Sequence, residues 1–240
     1  MTEEMMFAEK TEVPKDFDRI AKSYDLFATM NPWYQDHLLM SAARLRLGPH
    51  ARILDLCCGT GLSTEALATV YQGAEITGLD ASEGMLAQAR AKVGPKLATN
   101  IRFFHGDAMD PGATVEGPFD GIFMAYGIRN MPDRDLCLER LKELLVPGGR
   151  IVFHEFSVAD SWKSRALWNA VSYGLIIPGG LLTAGSARIY RYLRKSVTTF
   201  DGVLAFEARL RRAGFVHVHT LPSDAWEKGI LHSFIAERAK

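Results

Sequence analysis

Three aspartates stand at the ends of three apolar β-type runs: Asp55 in "RILDLC", Asp80 closing "EITGLD", and Asp107 just after "IRFFHG". Gly59 and Gly61 follow the first of these at a strand-to-helix turn, the place where a nucleotide-like ligand meets a parallel sheet. A dinucleotide is the obvious guest for such a loop. Yet Thr64 stands where G-x-G-x-x-G needs its third glycine, and no basic residue in the loop could meet a phosphate. Carboxylates at these positions suit instead an amine, a ribose and an adenine edge, that is, an adenosyl group with an amino-acid tail. The plainer reading is that strand-end aspartates cap helices and the glycines only permit a tight turn. Recurrence at successive strand ends weighs toward a ligand.

A second polar group leaves the fourth apolar run. "FDGIFM" runs into "AYGIRN", which puts Arg129 beside Asn130 where a strand ends. A guanidinium there can stabilise an oxyanion, and an amide can orient an oxygen or a water. The alternative is structural: Arg129 pairs with Asp133 or Glu155, and Asn130 caps a helix starting near Pro132. His154, with an ordinary pKa of about 6.5, is either a base facing the crevice or a packed core histidine. Cys57 and Cys58 read as small residues packed under the loop. His217 and His219 share one face of a strand, which does not by itself make a metal site, and no metal is expected.

The elements that position these groups are legible as alternation. Short apolar runs at 52–57, 75–80, 101–106, 119–127 and 150–157 alternate with helical periods at about 62–71, 83–93, 133–146 and 202–213. Two last runs, 215–221 and 230–238, are joined too closely for a crossover helix and should pair antiparallel. The fold class expected is α/β: a doubly wound, seven-stranded, mostly parallel sheet with an antiparallel last strand. "VPGGR" at 146–150 reads as the turn from helix to fifth strand. Residues 14–47 read as one or two helices broken near Pro32, and 158–200 as an insertion on the substrate side, all within a single domain of residues 1–240.

Lys plus Arg and Asp plus Glu each number 28 in 240 residues, so no overall field recruits nucleic acid. Three cysteines give neither a disulfide framework nor a zinc spacing, which suggests a reduced, cytoplasmic protein. The most apolar stretch, 166–182, is short for a membrane span and carries Pro178; a buried lid or substrate wall is expected there.

The chain resembles class I S-adenosylmethionine-dependent methyltransferases, and within them the ubiquinone/menaquinone biosynthesis C-methyltransferases. "ILDLCCGTG", "GLDASEGML", "GDAM", "FDGIFMAYGIRNMPD", "LKELLVPGGRIVFHEFS" and "IYRYLRKSV" carry the resemblance. It implies S-adenosylmethionine as cofactor, with Asp55, Gly59, Thr60 and Gly61 at the methionine moiety, Asp80 at the ribose, and Asp107 with Ala108 at the adenine. Ala81, Met85 and Ala125 are expected to touch the cofactor too, Ala125 standing where the family often has serine. Tyr24 in "AKSYD" would fold over the cofactor as part of an N-terminal lid. Arg129 and Asn130 would be catalytic, and Tyr126, His154, Tyr190 and Arg191 would line the acceptor side.

The reading this supports is a methyltransferase for a hydrophobic quinol-like or phenolic acceptor, acting at carbon. Its rivals are a methyltransferase of a soluble specialised metabolite, acting at oxygen, nitrogen or carbon, and a cofactor-binding assembly partner without turnover. Peripheral contact with the inner face of a membrane and a homodimer are compatible with either enzyme reading.

Overall fold

The computed structural model describes Asp18 and residues 31–93, 100–184 and 188–240. Tyr24 and residues 14–17 and 19–30 of the expected lid lie outside the described residues. Helix α1 (Tyr34–Ala43) leads into β1 (Arg52–Leu56), α2 (Leu62–Val70), β2 (Glu75–Asp80), α3 (Glu83–Val93), β3 (Ile101–His105) and β4 (Phe119–Ala125). Then come α4 (Arg134–Glu143), β5 (Leu145–Phe156), α5 (Trp162–Val171), α6 (Ile177–Ala184), α7 (Arg188–Thr198), α8 (Val203–Arg212), β6 (Phe215–Pro222) and β7 (Leu231–Arg238).

The strands form one seven-stranded sheet in the order β3-β2-β1-β4-β5-β7-β6. β7 is antiparallel to both β5 and β6, and the remaining pairs are parallel, as expected. Strand order turns at β1 and β4, and helices cover both faces, so a crevice opens at the carboxyl ends of these two strands.

Period-two alternation divides the core between the faces. Ile122, Met124, Ile151, Phe153, Phe234 and Ala236 pack on one side with Leu138, Leu141, Phe206 and Leu210. Phe123, Ala125, Val152 and Ile235 pack on the other with Leu38, Ala42, Leu45 and Leu67. Each of the large side chains so buried contributes roughly 1.5–3 kcal/mol of transfer free energy.

Two expectations are corrected. Strand β5 begins at Leu145, not Arg150: Leu145 pairs with Phe119 and Arg150 with Gly121, so "VPGG" is a bulge inside the strand, with Gly148 at φ 78°. The apolar stretch 166–182 is buried only in part, at Trp168, Ser172 and Gly180. Helix α5, a π turn at Ser172–Ile176 and α6 follow one another without a break, and Leu167, Tyr173, Leu175, Leu181 and Leu182 on them are exposed. Pro178, which has no N–H to give, lies just past the wide π turn. None of the described residues is in a helix long and apolar enough to cross a membrane.

Candidate active site

A cavity of about 450 Å³ opens where β1, β2, β3 and β4 end. Its floor is the loop after β1. Register puts Leu56 beside Leu79 and Met124, so the turns leaving β1, β2 and β4 meet at one place. Asp80 ties them: its Oδ2 accepts from the Gly59 N–H at 2.8 Å and its Oδ1 from the Ser82 N–H at 2.9 Å. Burial raises the Asp80 carboxyl above its ordinary pKa, against the pull of these backbone donors.

The glycines of the loop do different things. Gly59, at φ 54°, has nothing within 4 Å of where a Cβ would stand, so its face is open to a ligand. Gly61, at φ 85°, starts α2, and a Cβ there would come within 2.8 Å of Val93 on α3. Gly61 therefore serves the packing of the loop and does not line the cavity. Cys57 and Tyr126, at the exits of neighbouring strands, adopt φ of 58° and 57°, a region non-glycine residues enter at a cost of about 1–3 kcal/mol. Both line the cavity. Burial pushes both the Cys57 and Cys58 thiols well above their usual pKa, so they stay protonated and pack, as expected of small residues.

Thr60, Asp80, Ala81, Met85, Asp107, Ala108 and Ala125 line the cavity with Gly59. Asp107 is exposed, and its Oδ1 accepts from the Met109 N–H at 2.8 Å. Asp55 lies beneath the loop and out of the cavity lining. It is fully buried, with Oδ2 accepting from Ser63 Oγ at 2.8 Å and Thr64 Oγ1 at 2.5 Å. Burial lifts its carboxyl to about 7, and its Oδ1 has no hydrogen-bond partner. Thr64, the residue that breaks the dinucleotide pattern, is thus a buried donor to this acid.

An S-adenosyl group suits these residues. Gly59 leaves room for it, two carboxylates stand at the wall, and Arg129 is the only lysine or arginine among the described lining residues.

On the opposite wall, Arg129 and Asn130 fall in a 3₁₀ turn, Ile128–Asn130, that folds back from β4 across the end of β5. Ala125 sits opposite His154 in the sheet, which brings the turn over Glu155. Arg129 Nη1 donates to Glu155 Oε1 at 2.6 Å and to the Tyr126 carbonyl at 2.7 Å, and its Nε donates to Ser196 Oγ at 3.2 Å. Asn130 Oδ1 accepts from Tyr192 Oη at 3.1 Å. Asn130 does not cap the next helix; Asp133 does, accepting from the Leu136 N–H at 3.0 Å.

The acceptor-side residues divide. Tyr126 lines the cavity, stacked on Tyr34 with ring centroids 5.8 Å apart. His154 is fully buried behind it and meets it at 3.0 Å, Nε2 to Oη, without reaching the cavity. Burial, with smaller effects from His37 and Arg44, lowers its pKa to about 3. Tyr190 is buried against Met85 and Ile189, and Arg191 is exposed on α7; neither lines the cavity. Among the described residues the insertion reaches the site through Tyr192 and Ser196, which hold Asn130 and Arg129, and through Ile189 and Tyr190, which pack on Met85. Tyr34, Leu38 and His105, also on the wall, had no local signal in the sequence.

Comparison with known proteins agrees with this geometry. A family model described as the ubiE/COQ5 methyltransferase family matches residues 5–233. A ubiquinone/menaquinone biosynthesis C-methyltransferase of Methylobacterium nodulans is 34% identical over 210 residues, covering 84% of this chain and 82% of its own. A demethylmenaquinone methyltransferase of Lactococcus lactis is 34% identical over 209 residues, covering 86% and 82%. Among solved structures, the plantazolicin methyltransferase BamL, in complex with a desmethyl analogue and S-adenosylhomocysteine, superposes with a TM-score of 0.66 at 16% identity, with 100% of each chain covered. A chain of the Haloferax volcanii complex between the Trm112 methyltransferase activator and a methyltransferase superposes with a TM-score of 0.66 at 18% identity, covering 93% and 98%. At such identities the solved structures speak to the fold alone. By its family model and these relatives, the chain belongs to the ubiE/COQ5 methyltransferase family and is an S-adenosylmethionine-dependent methyltransferase.

Proposed function

We propose that this methyltransferase acts on a ring carbon of a hydrophobic quinol, with Arg129 and Asn130 at the acceptor, Asp80 and Asp107 around the cofactor, and Asp55 supporting the loop from beneath. The observation that carries the reading is the sharing of one cavity by a carboxylate wall and an arginine-asparagine wall. The relatives named for demethylmenaquinone and ubiquinone/menaquinone biosynthesis point to the same class of acceptor.

The bound cofactor supplies an electrophilic methyl on a sulfonium. The chain must then align the acceptor carbon with that methyl and make the carbon electron-rich, and alignment alone supplies much of the acceleration. Ionising the hydroxyl beside the reacting carbon pushes electron density onto it. A bound cofactor would give up that methyl to the aligned carbon and remain as the thioether, and the residues of the arginine-asparagine wall would serve the loss of the ring proton that restores aromaticity. Arg129 stabilises the oxyanion, and Glu155, Ser196 and the Tyr126 carbonyl keep its guanidinium from turning away. Asn130, held by Tyr192, orients a substrate oxygen or the water that takes the proton. Tyr34 and Tyr126 offer aromatic faces to a planar ring.

We read the chain as one methyltransferase domain, since both core layers share one sheet. We infer a cytoplasmic protein, a reading its three free cysteines support, that meets a membrane peripherally to reach an isoprenoid acceptor.

The test uses methyl-deuterated S-adenosylmethionine with a reduced demethylmenaquinol, and mass spectrometry of the organic phase. A ring-deuteromethylated product is expected. Label found only in a polar metabolite of a cell extract would move the enzyme to specialised metabolism, and cofactor binding without any turnover would mark an assembly partner.

A further inference from the structure

The insertion after β5 has a composition unlike the rest of the chain. Residues 158–200 hold six cations, Lys163, Arg165, Arg188, Arg191, Arg194 and Lys195, and one anion, Asp160, in a chain whose total charges balance at 28 of each sign. Asp160 is already engaged, its Oδ2 accepting from the Val203 N–H at 2.6 Å at the start of α8. The same segment carries most of the large apolar side chains that face solvent: Trp162 at 77% exposure, Leu182 at 87%, and Leu167, Tyr173, Leu175 and Leu181. Scattered exposed leucines need no explanation; a tryptophan, a tyrosine and four leucines on one helical rod do.

The two sets of residues interleave. Arg194 Cζ lies 4.9 Å from the centroid of the Tyr173 ring, and Lys163 Nζ lies 6.0 Å from that of Trp162. Arg188, Arg191 and Arg194 follow one another at three-residue spacing on α7, hence along one side of that helix. Trp168, buried and donating from Nε1 to the Arg194 carbonyl at 3.3 Å, pins α5 to α7, so the rod is held firmly while the six large apolar side chains named above stay exposed.

We propose that the outer face of α5, the π turn and α6, with the arginine side of α7, is the surface by which the enzyme docks on an anionic lipid bilayer. Tryptophan, tyrosine and leucine enter the interfacial region of a bilayer, and lysine and arginine stems carry their charges to headgroup phosphates. A second copy of this chain fits the face poorly, because a two-fold contact would bring two copies of the same net-cationic surface together. The proposal gives a location to the membrane contact of the functional reading and rests on that reading for its purpose. It does not rest on it for its test, which contains no acceptor.

The test is sedimentation of the full chain with vesicles of phosphatidylcholine and phosphatidylglycerol, against vesicles of phosphatidylcholine alone. Retention by the anionic vesicles is expected, and salt should weaken it. The variants are Trp162→Ala with Leu182→Glu, and Arg188→Gln with Arg191→Gln, all of them exposed positions away from the cavity. Each pair should lower the vesicle-bound ratio about tenfold or more, while calorimetric binding of S-adenosylhomocysteine stays unchanged and shows that the fold is kept. Absence of sedimentation with anionic vesicles would overturn the proposal, as would retention indifferent to both variant pairs. A dimer seen by light scattering that Leu182→Glu dissolves, with no vesicle binding, would assign the face to a second copy instead.

Discussion

Arg129 Nη1 and Glu155 Oε1 stand 2.6 Å apart, the guanidinium 4% exposed and the carboxylate fully buried. Burial raises the Glu155 carboxyl above its ordinary pKa, and the neighbouring Arg129 charge opposes that rise. The pair is therefore a positioning device with a cost. The carboxylate holds the guanidinium on the cavity wall, and each charge needs the other to remain buried.

Breaking the pair from one side should separate stability from catalysis. Glu155→Gln leaves a buried guanidinium uncompensated and should destabilise the fold by roughly 3–5 kcal/mol. Arg129→Lys keeps a charge but loses the planar fork that serves Ser196, Tyr126 and Glu155 together. Turnover should fall about a hundredfold or more, with S-adenosylhomocysteine affinity nearly unchanged. Steady-state kinetics beside calorimetry checks this, and full turnover in Arg129→Lys would remove arginine from the chemistry.

Asp80 carries a double load, since it organises the loop through Gly59 and Ser82 and faces the cavity. Asp80→Asn retains one acceptor oxygen but places an amide where a backbone N–H now donates. Affinity for S-adenosylhomocysteine should drop at least about tenfold, a loss of roughly 1.5–3 kcal/mol for a hydrogen bond to a charged group. Isothermal calorimetry measures it, and an unchanged dissociation constant would place the ribose elsewhere.

What was legible in the sequence was what repeats or stands at a strand end. Buried parallel strands read as apolar runs, so all seven strands were placed, and Asp80, Asp107 and Arg129 were found because each follows such a run. The start of β5 was hidden because proline and two glycines signal a turn whether or not the strand continues beyond the bulge. Composition marked 166–182 as apolar but not which way it faces. On α7 neighbouring residues point in different directions: Tyr190 inward, Arg191 to solvent, Tyr192 to Asn130. Tyr34 reaches the cavity from a helix 91 positions before Ala125 only through tertiary packing, which leaves no trace in local pattern.

Asp55 should make stability depend on pH in an uncommon sense. Burial lifts its carboxyl to about 7, against the Thr64 and Ser63 hydrogen bonds, whereas an unfolded aspartate titrates near about 3.9. Between these values the folded state keeps a proton that the unfolded state has lost, so this group's contribution falls as pH rises through the window. The full effect is on the order of 4 kcal/mol. Asp55→Asn removes the titration, so the melting temperature of the variant minus that of the wild type should climb from about pH 4 to about pH 7. A flat difference would mean an ordinary pKa for Asp55.

Tyr126 Oη and His154 Nε2, 3.0 Å apart, set the opposite slope. With its pKa lowered to about 3, His154 stays neutral in the folded state while the unfolded chain takes up a proton near pH 6.5, so its contribution is lost as pH falls from about 6.5 toward 3. Tyr126→Phe strands a buried ring nitrogen, and His154→Leu strands the phenol at the cavity wall. Each should cost about 1–3 kcal/mol. In the double variant both partners are apolar, so the loss should be smaller than the sum of the two by about 1–2 kcal/mol. His154→Leu should also flatten the acid limb of the stability curve, which Tyr126→Phe should not. Urea unfolding of the four proteins at two pH values decides it: additive losses would mean that the hydroxyl and the imidazole stand close without stabilising one another, and that other contacts, among them the rings of Tyr34 and Phe156, hold Tyr126 at the cavity.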